Sequence, residues 1–187
     1  MPDKAAALAA IAERLKGLTW IIDSGMAVEI YTNGKRVAND IDIVVLEKDI
    51  EEAARRLGTT ITRRSADKSG LKIIDEKYAC ATIEGVEIEL VCGSGRYMIN
   101  GRERGFNITE NHFACAKRVS YLGAELNVAA PEELLVHKTI LGREKDVKDV
   151  GLLLESFTPD KNLLELFLSV YQLDEEERKA VLSKILE

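Results

Sequence analysis

Apolar residues at Leu8, Ile11, Ala12 and Leu15 keep the spacing of one helix face, with Asp3 placed to cap it and Gly17 to end it, so the chain opens on an amphipathic helix. The period then changes. Residues 19–23 (TWIID) form a short β-branched run that meets Ser24-Gly25, and Met26 to Tyr31 reads as a short helix stopped by Asn33-Gly34. Residues 39–46 (NDIDIVVL) alternate acid and apolar before turning wholly apolar, as in a strand with one end at an edge or site and the other buried. Ile50, Ala53, Ala54 and Leu57 return to helical spacing and stop at Gly58.

From Thr59 to Val128 the period moves towards two. Strands are expected near 59–63, 72–74, 78–83 and 86–92, with Glu84-Gly85 as a turn and a later hairpin around Gly123. Gly93-Ser94-Gly95 and the stretch from Gly101 to Gly105 read as a flexible loop carrying Arg96, Arg102 and Arg104. Helices follow. Pro131 opens one with Leu134, Leu135, Lys138 and Leu141, and another starts at Arg143 or Glu144 with Val147, Val150 and Leu154 as its apolar face. Thr158-Pro159 suggests a cap with proline at the first helical position, and Asp174 with Glu177 a capping box for a last helix ending at Ile185. The pattern predicts an α/β (α+β) fold in two parts, 1–129 and a helical C-terminal region 130–187.

Composition narrows the class of protein. With 187 residues, 46% apolar and 31% charged, the chain can bury a core without disulfide staples. No apolar run approaches the roughly 20 residues that span a bilayer, and the charged, Ala-rich start is not a signal peptide, so a cytoplasmic protein without a membrane partner is expected. Cys80, Cys92 and Cys115 are odd in number and lack CxxC spacing, which favours free thiols over a zinc or disulfide framework. Lys and Arg number 26 against 32 Asp and Glu, a formal charge of −6, so general electrostatic binding of nucleic acid is not supported. The basic stretches Arg63, Arg64, Lys68, Lys72, Lys77 and Arg96, Arg102, Arg104 read first as solvated surface. His112 and His137 have no ligand spacing; His137 reads as a half-buried helix residue and Trp20 as core.

Chemistry concentrates in Asp40-Ile41-Asp42. Alternate strand residues share a face, so the two carboxylates project together while Ile41 and Ile43 turn to the core. Close like charges repel unless a divalent cation neutralises both, and Mg²⁺ favours carboxylate oxygens. Alone, such a triplet is as well explained by a solvated strand end.

Its company adds more. Residues 20–28 (WIIDSGMAV), Arg36, and residues 39–45 (NDIDIVV) resemble the nucleotidyltransferase superfamily related to DNA polymerase beta, and most of all its abortive-infection type in bacteria and archaea. There a strand, a glycine turn and a short helix precede an acidic pair, and an Arg stands four residues before the first Asp, as Arg36 does before Asp40. The resemblance extends to residues 85–91 (GVEIELV), matching the strand of the third carboxylate, and to Lys138, Arg143, Lys145, Asp146 and Asp149. It implies a nucleotidyltransferase fold, a mixed twisted sheet with flanking helices, whose catalytic domain is 1–129 and whose helical region closes a nucleotide cleft.

The implied activity is transfer of a nucleoside monophosphate from a nucleoside triphosphate to an acceptor hydroxyl. Asp40, Asp42 and Glu89 would hold two Mg²⁺ or Mn²⁺ ions, with Glu89 preferred to Glu87 and able to take the acceptor proton. Ser24, Gly25, Arg36 and Lys145 would bind the triphosphate, and Asp146 and Asp149 would orient Lys145 and Arg143. The acceptor is open between a small molecule, a protein and a tRNA end, as are the base and the oligomeric state. Three positions depart from the family pattern: Ser24-Gly25 for Gly-Gly or Gly-Ser, Ala38 for a Thr, and Glu89 for the commoner Asp. They keep a second reading in play, a catalytically silent nucleotide-binding or protein-interaction module such as a toxin–antitoxin component.

Overall fold

The computed structural model describes residues 2–68, 71–99 and 101–187; the side chains of 66–72 and 99 lie outside the described residues. The chain runs α1 (Lys4–Arg14), β1 (Trp20–Asp23), α2 (Ser24–Tyr31), β2 (Asp40–Val45), α3 (Ile50–Leu57), β3 (Thr62–Lys68), β4 (Leu71–Ile83), β5 (Val86–Ile99) and β6 (Arg102–Asn107). It continues through α4 (Glu110–Phe113), β7 (Lys117–Tyr121), β8 (Ala124–Val128), α5 (Pro131–Leu141), α6 (Glu144–Ser156), α7 (Lys161–Leu168) and α8 (Glu175–Leu186). The strands form one mixed sheet in the order β3-β4-β5-β2-β1-β8-β7, with β6 also on β5. Its parallel contacts are β2 with β5 and β1 with β8.

Local signals set most boundaries. Asp3 accepts the Ala6 N–H at the start of α1, and Gly58 and Gly142 end α3 and α5 in the left-handed conformation. Glu84-Gly85 and Leu122-Gly123, all at positive φ, turn the β4/β5 and β7/β8 hairpins, as primed turns require. Asp174 and Glu177 form the reciprocal capping box of α8.

Four expectations are corrected. The segments 72–74 and 78–83 belong to one long strand, β4, whose ladder with β5 absorbs two register shifts, so the apolar pattern breaks while pairing continues. The glycine-rich loop is instead the end of β5 paired with β6; Gly95 lies where a Cβ would stand 2.7 Å from the Phe106 ring, so it admits a close neighbour, while Gly101, at φ 75°, serves the turn between the two strands. Asp160, whose carboxylate accepts the Asn162 N–H, caps α7, not Thr158 before Pro159. Finally, α6 is turned further than its apolar pattern predicts: Val150 and Leu154 pack against the core, but Val147 is 62% exposed, and Asp146 and Asp149 are buried with Leu153.

Ile21, Ile22, Ile41, Ile43, Ile88 and Leu90 bring β1, β2 and β5 into the core, which continues through Leu134, Leu135, Leu153 and Phe167 of the last helices. Trp20 is part of it. Cys92 and Cys115 are free thiols. Among the described residues no helix is long and apolar enough to cross a membrane.

Candidate active site

The C-terminal end of β1 faces the start of β2. Register pairs Asp23 with Asp42 across β1/β2 and Asp42 with Glu89 across β2/β5, so three acids stand side by side on one face of the sheet. Asp40 lies two residues back from Asp42 on that face, opposite Glu87. All but Glu87 line a cleft of about 190 Å³; Glu87 lines an adjoining groove that Asp40 and Glu89 share. That volume is below the roughly 300 to 1,000 Å³ of sites that enclose a whole drug-sized ligand, so it suits phosphates and ions with the rest of a ligand outside.

Ser24 turns the chain from β1 into α2 at φ 52°, a left-handed conformation costly for a non-glycine residue. The first N–H groups of α2 receive no side-chain cap, and Ser24 and Gly25 line the cleft, which leaves donors for an anion there. Gly25 is required by its neighbour. A Cβ built on it would lie 2.6 Å from Nη1 of Arg36, whose guanidinium rests on the turn. Arg36 Nε donates to Asp149 (2.8 Å), while its buried Nη1 has no hydrogen-bond partner among the described residues.

The loop that carries Arg36 is tied down just beyond it. Glu29, on α2 and 5% exposed, accepts from the Ala38 N–H (2.6 Å), from Lys4 Nζ (2.7 and 2.9 Å) and from the Tyr121 hydroxyl. Burial works to raise its pKa, but the Lys4, Ala38 and Tyr121 hydrogen bonds win and hold it below its ordinary value. Ala38 is buried, and it is its backbone N–H that makes the tether to Glu29.

Helices α5 and α6 supply the opposite wall. Lys138, 4% exposed, donates to Asp149 (2.7 Å) and lies 3.7 Å from Asp146. Arg143 Nε meets Asp146 at 2.5 Å; burial pushes that carboxyl up, but the Arg143 hydrogen bond and charge hold it below the usual range. Thus Asp146 orients Arg143 and Lys138, while Asp149 orients Arg36 and Lys138. Neither aspartate holds Lys145, which is exposed at the rim and has no ion-pair partner among the described residues. Both aspartates turn inward, and the exposed face of α6 carries a different pair, Lys148 with Glu144 at 2.7 Å.

Several site residues escaped the sequence. Asp23 was legible as the one acid ending an apolar strand, next to the Ser24-Gly25 turn. His137 lines the cleft half-buried, 2.5 Å from the Tyr171 hydroxyl; burial lowers its pKa against the opposing field of Asp23. Glu133, buried nearby, is pushed well up by burial and by Asp23. Arg64 was assigned to a solvated stretch. In the structure it enters the cleft and forks onto Glu89 at 2.6 and 2.8 Å. Its basic neighbours are paired at the surface, Arg63 with Asp75, Lys77 with Glu47 and Arg96 with Glu103. The side chains of Lys68 and Lys72 lie outside the described residues. Arg102 and Arg104 reach the start of α8 at Asp174 and Glu177.

The fold has solved counterparts. A Thermotoga maritima protein (TM1012) assigned to the nucleotidyltransferases superposes with a TM-score of 0.53 at 17% identity, over 79% of this chain and 89% of its own. The antibiotic-resistance factor ANT(2'')-Ia gives 0.55 at 13% identity, over 96% and 95%. A lincomycin-bound lincosamide antibiotic adenylyltransferase, LnuA, gives 0.51 at 17% identity, over 79% and 92%. The chain therefore has the nucleotidyltransferase fold. At these identities the likeness is one of fold. No model of a protein family matches the sequence, and no curated protein does.

Proposed function

We propose that this protein transfers a nucleoside monophosphate from a nucleoside triphosphate to an acceptor hydroxyl, as the abortive-infection type of nucleotidyltransferase would. The observation that carries this reading is the opposition of two walls in one cleft. Acids Asp40 and Asp42 stand on the sheet, and cations Arg36, Lys138, Arg143 and Lys145 stand around an uncapped helix start. Such a cleft matches the charge pattern of a metal-bound triphosphate and little else.

Divalent metal ions fit this donor set in part. Among the described residues no three His, Cys, Asp or Glu side chains gather tightly enough to hold an ion unaided. Asp40 and Asp42 would hold one jointly with phosphate oxygens, to which Arg36, its Nη1 orphaned among the described residues, would donate from the Gly25 turn. Glu89 would complete a second ion's site. Bound there, Mg²⁺ or Mn²⁺ would polarise the α-phosphate and lower the charge that the acceptor oxygen meets.

The residues divide the remaining work. The Ser24-Gly25 turn and Arg36 orient the triphosphate, and Lys138 and Arg143, fixed from behind by Asp146 and Asp149, neutralise it. The acceptor oxygen bonds to the α-phosphorus in line as the bond to the pyrophosphate oxygen breaks. Pyrophosphate leaves past Lys145, and Glu89 takes the hydroxyl proton. The helical region 130–187 closes this cleft over 1–129, and the protein works in the cytoplasm. That two structures of like fold are an antibiotic-resistance factor and an antibiotic adenylyltransferase makes small polyhydroxy compounds the first acceptors to assay.

Paired labelling tests the reaction class. The full chain is given each of ATP, GTP, CTP and UTP, labelled in turn at the α- and γ-phosphorus, with Mg²⁺ and a cell extract as acceptor pool. Label entering an acceptor from the α-position alone supports nucleotidyl transfer. Entry from the γ-position alone would make the protein a kinase, and triphosphate binding with no transfer would favour the silent module.

A further inference from the structure

One cation of the cleft stands on the acid wall. Arg64 comes from β3, the edge strand, opposite Glu76 of β4, and crosses the sheet to reach β5. Its Nη1 and Nη2 donate to the two oxygens of Glu89 (2.8 and 2.6 Å), and its Nε to Glu76 (2.7 Å). The guanidinium lies 4.4 Å over the Tyr78 ring, and Glu76 is itself held by the Tyr97 hydroxyl at 2.7 Å. Both oxygens of the third carboxylate are thus engaged by a fixed positive charge.

A guanidinium and a divalent cation cannot share that carboxylate cheaply. Their charges repel at ligand distance, and Arg64 takes the in-plane fork that a metal would need. Yet Arg64 has a second seat. Glu76, 3% exposed, and the Tyr78 face would retain it if the fork let go of Glu89. A register shift between Arg64 and Ala66 loosens the ladder beside it. Resting on the transfer reading above, we propose that Arg64 gates the third carboxylate: its bridge to Glu89 and a divalent cation at Glu89 exclude each other. With the bridge closed the cleft holds one ion, at Asp40 and Asp42. Arg64 is accordingly a positioning residue, acting through Glu89.

Manganese binding to the full chain without nucleotide tests this, read from the electron paramagnetic resonance of free Mn²⁺. Without phosphate oxygens to share it, wild type should bind at most one Mn²⁺, weakly, and that binding is lost in Asp40→Asn/Asp42→Asn. Arg64→Gln should gain a second ion or bind at least tenfold more tightly, and adding Glu89→Gln should remove the gain. If Arg64→Gln does not fold, Arg64→Lys is read instead; it keeps a charge for Glu76 but cannot fork onto Glu89, and a smaller gain in the same direction is expected. A folded Arg64 variant whose Mn²⁺ binding equals or falls below wild type overturns the gate while leaving the transfer reading standing. No Mn²⁺ bound by wild type, with or without ATP, overturns both.

Discussion

Arg36 and Arg64 are two arginines of one cleft used in opposite ways. Arg36 is gripped from behind by Asp149 through Nε, so the rest of its guanidinium is presented at the Ser24-Gly25 turn with Nη1 unpartnered. Arg64 points all its nitrogens at Glu76 and Glu89 and presents nothing outward. The first is a cation made available by a buried anion; the second is a cation that masks one. Whether an arginine in a cleft binds or blocks therefore depends on where its own carboxylate partner stands, behind it or in front of it.

Removing the acids proposed to hold the first ion should break the comparison most severely. Asp40→Asn/Asp42→Asn is expected to cut transfer by about 10³-fold or more, ~4 kcal/mol in the barrier, and to make triphosphate affinity indifferent to chelator. Calorimetry with and without EDTA checks the second part, and affinity that still falls with EDTA would refute it. Taking away the anion behind the binding arginine comes next. Asp149→Ala leaves Arg36 and Lys138 without their shared buried partner and should destabilise the fold by about 3 to 5 kcal/mol, measured by urea denaturation. A loss under 1 kcal/mol would show that water replaces the carboxylate.

Lys145 sharpens the contrast, as a cation that nothing holds. Lys145→Ala should lower turnover about 10²-fold, ~3 kcal/mol, if it meets the leaving pyrophosphate, while stability changes by less than about 0.5 kcal/mol. Unchanged turnover in a working assay removes it from the site. The smallest effect concerns the tether of the Arg36 loop. Glu29 has a folded pKa below its ordinary 4.5, so its contribution is complete above that value and is lost as pH falls through the folded one. Glu29→Gln should cost about 1 to 3 kcal/mol at pH 7 and flatten the decline of stability between about pH 5 and 3, read from melts across that range. An unchanged slope would assign the acid sensitivity elsewhere.

The fold was largely legible because its signals are local. The Asp3 and Asp174 caps, Gly58, Glu84-Gly85 and Gly123 each act within a few residues, and the structure uses every one. The Asp40 and Asp42 face followed from strand alternation. What hid from the sequence depended on partners distant along the chain. Arg64 is 25 residues from Glu89 and so looks in the sequence like one more surface charge; Arg36 is marked by the resemblance, but its partner Asp149, 113 residues away, is not marked as such. Val147 of α6 is exposed for a related reason: Asp146 and Asp149 are buried instead because three cations await them, which no periodicity of α6 itself records.

The edge position of β3 has a consequence of another kind, for behaviour at high concentration. A straight, uncharged edge strand offers its free backbone groups to any other chain that can align with it. Here Arg63 stands solvated on that edge and the ladder is kinked between Arg64 and Ala66, two devices that discourage a second strand from docking. The strand that carries a charge into the cleft thus also guards the sheet against joining its neighbours. Smoothing it by an apolar residue at Arg63 and a regular register would turn a soluble edge into a template for aggregation.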